Sequence, residues 1–224
     1  MNLRIRNPHT QGRLSMPASG RGFSLVELVV ALTLLLVLLS QAVPAFGDYL
    51  ANNQVRNAGR NLMAGLQYAR GEAVKRNTQV RLSLVDSLTG DCKLSNTGPD
   101  WMISRHAPDG KCNETPVVDF LDPDVSSKAQ ILRRHANADN SAAAAVTATT
   151  VATTPVAVDT VVFNGLGRLV SPASAFRIDI TNPGGGSCVE DSGRVRCLRI
   201  TVDTSGEPRL CDPAVVATGD TRAC

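Results

Sequence analysis

From Leu25 to Phe46 the chain is almost wholly apolar, and Glu27 is the only ionisable residue in the run. At about 1.5 Å of rise per residue, roughly 20 helical residues cross a hydrocarbon core of about 30 Å. Backbone polar groups find no water there, so a helix is the backbone this stretch can use. Glu27 is the anomaly. A carboxylate costs on the order of 2.5–3.5 kcal/mol at mid-bilayer and less near the interface.

The next ionisable residue along the chain is Asp48, so no cation on the same helix can pair with Glu27. The partner is expected on another chain, or as the free amine released if the chain is cut between Gly22 and Phe23. Two plainer readings compete. A secretory signal peptide would be cleaved near Ala42 or Ala45, but its apolar region is usually about 7–15 residues and free of acid. A simple single-span anchor would leave Glu27 accidental.

Gly22-Phe23-Ser24-Leu25-Val26-Glu27, after a basic leader and before a long apolar helix, resembles the processing site of type IV pilins and type II secretion pseudopilins. The resemblance implies cleavage after Gly22 by a prepilin peptidase and N-methylation of Phe23. It further implies pairing of Glu27 with the Phe23 amine of a neighbouring subunit in a filament. Residues 1–22 are then a leader, 23–47 a transmembrane and filament-core helix, and 48–224 a periplasmic head.

Charge agrees with that division. The chain of 224 residues carries a formal charge of +3. Arg4, Arg6, Arg13 and Arg21 lie in the acid-free leader. Without those four, 19 basic residues face 20 acidic ones, a charge of −1. The basic leader suits the cytoplasmic side of an inner membrane, and nucleic-acid binding by the remainder requires a local patch.

Residues 48–76 continue the helix in another character. Val55, Ala58, Leu62, Leu66, Ala69 and Ala73 recur at steps of three and four, which is one helical face. The string from Leu66 to Asn77 resembles the helix end of the GspH/FimT group of minor pilins and pseudopilins. The rest, 78–224, reads as β-rich. Alternation predicts strands at Val80–Leu84, Thr160–Phe163, Phe176–Ile180 and Leu198–Val202, with further candidates at Val117–Leu121 and Ala129–Arg133. Ser87–Asn113 reads as a loop around Trp101, itself expected to anchor the core. The Ala/Thr/Val tract 136–158 is compatible with a long loop or with two edge strands. The expected fold is α+β: a long N-terminal membrane-spanning helix packed on an antiparallel β-sheet head with disulfides.

All six cysteines, Cys92, Cys112, Cys188, Cys197, Cys211 and Cys224, lie beyond the apolar helix, which suits disulfides in an oxidising periplasm. Nearest-neighbour pairing gives 92–112, 188–197 and 211–224. Cys197 and Cys211 would also face each other across a hairpin, so the connectivity stays open. No C-x-x-C occurs, and His9, His106 and His135 are scattered, so neither a metal nor another cofactor is expected. No catalytic arrangement or phosphate loop is apparent, and the chain is not expected to be an enzyme.

A second site follows from resemblance alone. FimT-type minor pilins of transformable bacteria share a C-terminal Gly-Arg-x-Arg loop that binds DNA. By position its equivalent is Gly206-Glu207-Pro208-Arg209, with an acid where the first arginine belongs. By letters it is Gly193-Arg194-Val195-Arg196, one strand earlier, with Arg199 close by. Arg194, Arg196, Arg199 and Arg209 are therefore the candidate contacts to double-stranded DNA. Glu190, Asp191, Asp203 and Glu207 dilute them, and the plainer reading is a set of solvated strand-edge arginines.

These features predict a minor type IV pilin of the GspH/FimT type in a tip or priming complex, working with other minor pilins and pilus subunits. The competing predictions are a pseudopilin of type II secretion and a DNA-uptake receptor. The expected location is the inner membrane, single-pass, and then the extracellular pilus.

Overall fold

The structure, a computed structural model, describes residues 22–98, 100–117, 128–137 and 143–224. The chain forms two compact units, divided between Ala42 and Val43. Helix α1, Leu25–Arg76, begins in the first and ends in the second. Residues 48–76 continue the same helix, as their periodicity predicts.

In the first unit α1 carries a window of mean hydropathy 2.4, none of it buried. Apolar side chains on every face suit surroundings of lipid or other helices rather than water. By length and composition this helix can cross a membrane.

In the second unit the helical stripe is the spine of the core. Val55, Ala58, Leu62, Leu66, Ala69 and Ala73 are all buried. Asn77, at φ 47°, ends the helix in the left-handed region. The Thr78 N–H then reaches back to the Ala73 carbonyl at 3.2 Å, satisfying an end group that would otherwise be orphaned.

Two antiparallel sheets pack with this helix. The first has the order β3-β2-β1-β5-β6, from β1 (Val80–Val85), β2 (Asp100–Ser104), β3 (Ile131–His135), β5 (Thr160–Phe163) and β6 (Leu169–Ser171). The second has the order β4-β7-β8-β9, from β4 (Ala145–Thr150), β7 (Phe176–Thr181), β8 (Leu198–Val202) and β9 (Pro208–Cys211). Leu82 and Leu84 of β1, Ile178 and Ile180 of β7, and Ile200 of β8 join the helical stripe in one core.

The sequence expectations meet two differences, and one open alternative is decided. Asp100–Ser104 is a strand, not part of a loop. Both faces of its sheet are covered, so its residues lack a polar–apolar alternation: Trp101 and Ile103 enter the main core, while Met102 enters a second cluster with Val85, Ile131, Cys92 and Cys112. Of the two alternatives for the Ala/Thr tract, the edge strand is found: it supplies β4 at the edge of the second sheet, running beside β7 from Ala145↔Thr181 to Thr150↔Phe176. The chain then turns back so that Thr149 bridges Ala157. The strand expected at Ala129–Arg133 lies two residues later, at Ile131–His135. Except for Val117, the expected strand Val117–Leu121 falls outside the described residues, as does the leader before Gly22.

The cysteines bond as Cys92–Cys112, Cys188–Cys197 and Cys211–Cys224. The first roofs the outer face of the five-stranded sheet. The third closes the C-terminal loop onto β9. Register places Cys211 opposite Arg199, so it does not face Cys197.

Candidate functional site

Ser24 organises the start of α1. Its hydroxyl accepts the Glu27 N–H at 3.1 Å, and its carbonyl accepts the Leu28 N–H at 3.2 Å. A side-chain oxygen so placed satisfies one of the free donors of a helix start. The cap fixes Glu27 in the first turn, where the helix dipole favours a negative charge. Phe23 precedes the cap and is 82 % exposed. Glu27 makes no ion pair among the described residues.

The four arginines singled out in the sequence do not form one patch. Arg194 pairs with Asp48 of α1 at 3.5 Å. The Arg196 backbone N–H bonds the Asn52 side chain, and its guanidinium pairs with the nearly buried Asp212. These two residues lie before β8, against α1 and the C-terminal loop. Arg199 pairs with Asp179 across the β7–β8 ladder. Arg209 donates to the carbonyls of Thr221 and Ala223, tying down the C-terminal loop.

Register reveals a different grouping. Thr201 lies between Arg177 on β7 and Arg209 on β9. In the next row outward-facing Arg199 lies between Asp179 and Cys211. Arg177, Arg199 and Arg209 therefore share the outer face of the four-stranded sheet, and Asp179 is the acid among them. Arg177 was missed in the sequence because its charge sits within the Phe176–Ile180 alternation, where it reads only as a solvent-facing position.

Both candidate glycines have structural duties. Gly206 has φ +82°, and a Cβ there would lie 2.3 Å from the Gly167 carbonyl oxygen. A Cβ on Gly193 would lie 1.9 Å from the Ser187 carbonyl oxygen, inside the loop closed by Cys188–Cys197. Backbone approach this close admits only glycine. Asp203 braces the Gly206 turn. The Ser205 hydroxyl bonds its carboxylate and holds it below the usual carboxylate range.

Cys188, Glu190 and Asp191 cluster closely enough to suggest a metal site. The Cys188 sulfur is committed to Cys197, so it offers no thiolate.

A capped, membrane-compatible helix that passes into the core of a disulfide-bonded α+β head defines a pilin-like subunit. The chain belongs to the GspH family: the model described as "Type II transport protein GspH" matches residues 58–206. A prokaryotic N-terminal methylation motif matches residues 18–40. Among solved structures, the type IV minor pilin FimU of Pseudomonas aeruginosa is similar with a TM-score of 0.44 at 23 % identity, covering 70 % of this chain and 88 % of that one. The minor pseudopilin EpsH of the Vibrio cholerae type 2 secretion system is similar with a TM-score of 0.43 at 10 % identity, covering 72 % of this chain and 99 % of that one. No curated protein matches significantly.

Proposed function

We propose that this chain is a minor type IV pilin, anchored in the inner membrane with its head in the periplasm, and that it helps prime filament assembly at the tip. One observation carries the reading. Gly22, Phe23 and Glu27 fall inside the methylation-motif match and open the same helix that supports the GspH-type head.

In this reading a prepilin peptidase cuts between Gly22 and Phe23, and the Phe23 amine is N-methylated. The amine and the Glu27 carboxylate of adjacent subunits then pair as the helices leave lipid and pack together. Burial makes the pair a register device, because either charge left alone in an apolar surrounding is costly. The test is mass spectrometry of the protein from its own cells, with the sheared filament fraction alongside. The expected N-terminus is N-methylated Phe23, and Glu27→Ala should leave processing intact while removing the subunit from filaments. An uncut chain, or a terminus near Ala42 or Ala45, would sink the proposal.

A role as a type II secretion pseudopilin is the second reading, favoured by the description of the matching family model. Deleting the gene and scoring pilus-dependent and secretion phenotypes separates the two. Contact with double-stranded DNA is a further reading, favoured by the shared outward face of Arg177, Arg199 and Arg209.

A further inference from the structure

A second cationic feature is unaccounted for by the processing site or the sheet face. Arg56 on α1, Arg196 before β8 and Arg222 in the C-terminal loop converge on a pocket of about 240 Å³ floored by Leu198, Leu210 and Cys211. Asp212 is the acid in its wall. Its carboxylate is already engaged: one oxygen pairs with Arg196, and the other accepts the Ala214 N–H at 3.0 Å. Arg222 is held by Asp220 at 2.7 Å. Arg56 has no ion-pair or hydrogen-bond partner among the described residues and is exposed to solvent. The pocket thus keeps unspent positive charge at its mouth, above an apolar floor.

We propose that this pocket receives an aspartate or glutamate side chain from a neighbouring filament subunit. The inference rests on the reading of the chain as a filament subunit. Charge complementarity favours an anionic side chain. A concave site of about 240 Å³ has room for a carboxylate side chain, with its methylene stem on the leucine floor. A nucleic-acid backbone instead needs a row of outward cations, each meeting a phosphate. Arginine suits the task because its planar fork can engage a carboxylate through two parallel hydrogen bonds.

The test uses the full-length chain in its own cells. Its amount in sheared filaments, relative to the membrane pool, is measured by quantitative immunoblot. The variants are Arg56→Glu, Arg222→Gln and, as a matched control, Arg60→Glu, which alters an exposed helical arginine outside the pocket. Full oxidation of the six cysteines reports that each variant has folded. Arg56→Glu should lower incorporation at least about tenfold, because a like charge would meet the incoming acid. Arg222→Gln should lower it in the same direction, and Arg60→Glu should leave it unchanged. An acid-to-arginine substitution in one of the other pilin-like subunits should restore Arg56→Glu.

Wild-type incorporation of Arg56→Glu overturns the proposal. So does an equal loss in Arg60→Glu, which would mark a general charge effect, and so does restoration by no acid in any subunit. Titration of the detergent-solubilised full chain with double-stranded DNA closes the other route. Loss of DNA binding in Arg56→Glu, with incorporation intact, would reassign the pocket to phosphate. If the wild-type chain is itself absent from filaments, the filament reading fails first and the pocket's role falls with it.

Discussion

The Trp101 indole lies against α1 at Gly65, where a Cβ would stand only 2.8 Å from the ring. The indole also stacks on His135, with ring centroids 5.1 Å apart. Gly65→Ala should therefore destabilise the head despite the better helix propensity of alanine. Overpacking costs about 1–3 kcal/mol and the propensity gain is about 1 kcal/mol, so the net loss is up to about 2 kcal/mol. Denaturant unfolding of the purified protein checks this, and a raised midpoint would show that the ring yields freely.

Leu66 is fully buried between helix and sheets. Leu66→Ala should cost about 2–5 kcal/mol, a transfer term plus a cavity term. The same unfolding measurement should give a lower midpoint. A change within about 0.5 kcal/mol, the range of ordinary surface substitutions, would contradict the core placement.

The helix was legible in the sequence because its signal is local. The stripe from Val55 to Ala73 repeats often enough to fix one face, and Asn77 supplies its own stop. Strands with one wet face, such as β7, were legible for the same reason. β2 was not, because both of its faces are dry and Trp101, Met102 and Ile103 carry no period of two. β4 was hidden by composition: Ala and Thr become a strand there through β7, some 30 residues further on. At the sites, Phe23 and Glu27 stand in a contiguous motif. The arginine pairings depend on partners distant in sequence, such as Asp48 for Arg194, and no local pattern encodes them.

Glu72 gives a pH dependence of definite sign. Burial pushes its carboxyl up, but the hydrogen bond and charge of Arg76, with Lys75, outweigh this and hold it below its usual value of 4.5. A carboxylate depressed in the folded state stabilises at neutral pH, and the contribution disappears as pH falls from about 4.5 through the lowered value. Glu72→Gln should be less stable than wild type at pH 7 by about 1.5–3 kcal/mol, the scale of hydrogen bonds to charged groups. Unfolding curves at pH 7 and pH 3 should show the difference shrinking. A constant difference would place the effect in packing.

Replacing Cys211 and Cys224 by serine opens a loop of sequence separation 13. Loop-closure entropy puts the loss at about 3 kcal/mol. Arg209 would then retain its carbonyl partners less often, and limited proteolysis should cut first within residues 212–224. First cleavage elsewhere would mean that Asp212 and Arg209 hold the loop unaided.

The outer-face arginines predict a salt dependence. If they meet DNA phosphates, each of Arg177→Gln, Arg199→Gln and Arg209→Gln should reduce the slope of log affinity against log salt by about 0.9. Filter binding of the full chain at several salt concentrations reads this directly. Arg194→Gln, whose cation is paired to Asp48 away from that face, should change the slope least. The reverse ranking would return the site to the Gly193 loop.

The Gly167 carbonyl accepts the Arg70 Nε–H at 3.0 Å and lies under Gly206. Helix, first sheet and second sheet thus meet at one turn. The arrangement has a mechanical meaning for a subunit pulled by its helix. Tension entering α1 of the head is shared along the buried stripe from Ala51 to Ala73, which packs on strands of both sheets, and it also reaches β1 through the short connection after Arg76. A sustained pull therefore meets the packed helix in shear before it can unzip either sheet.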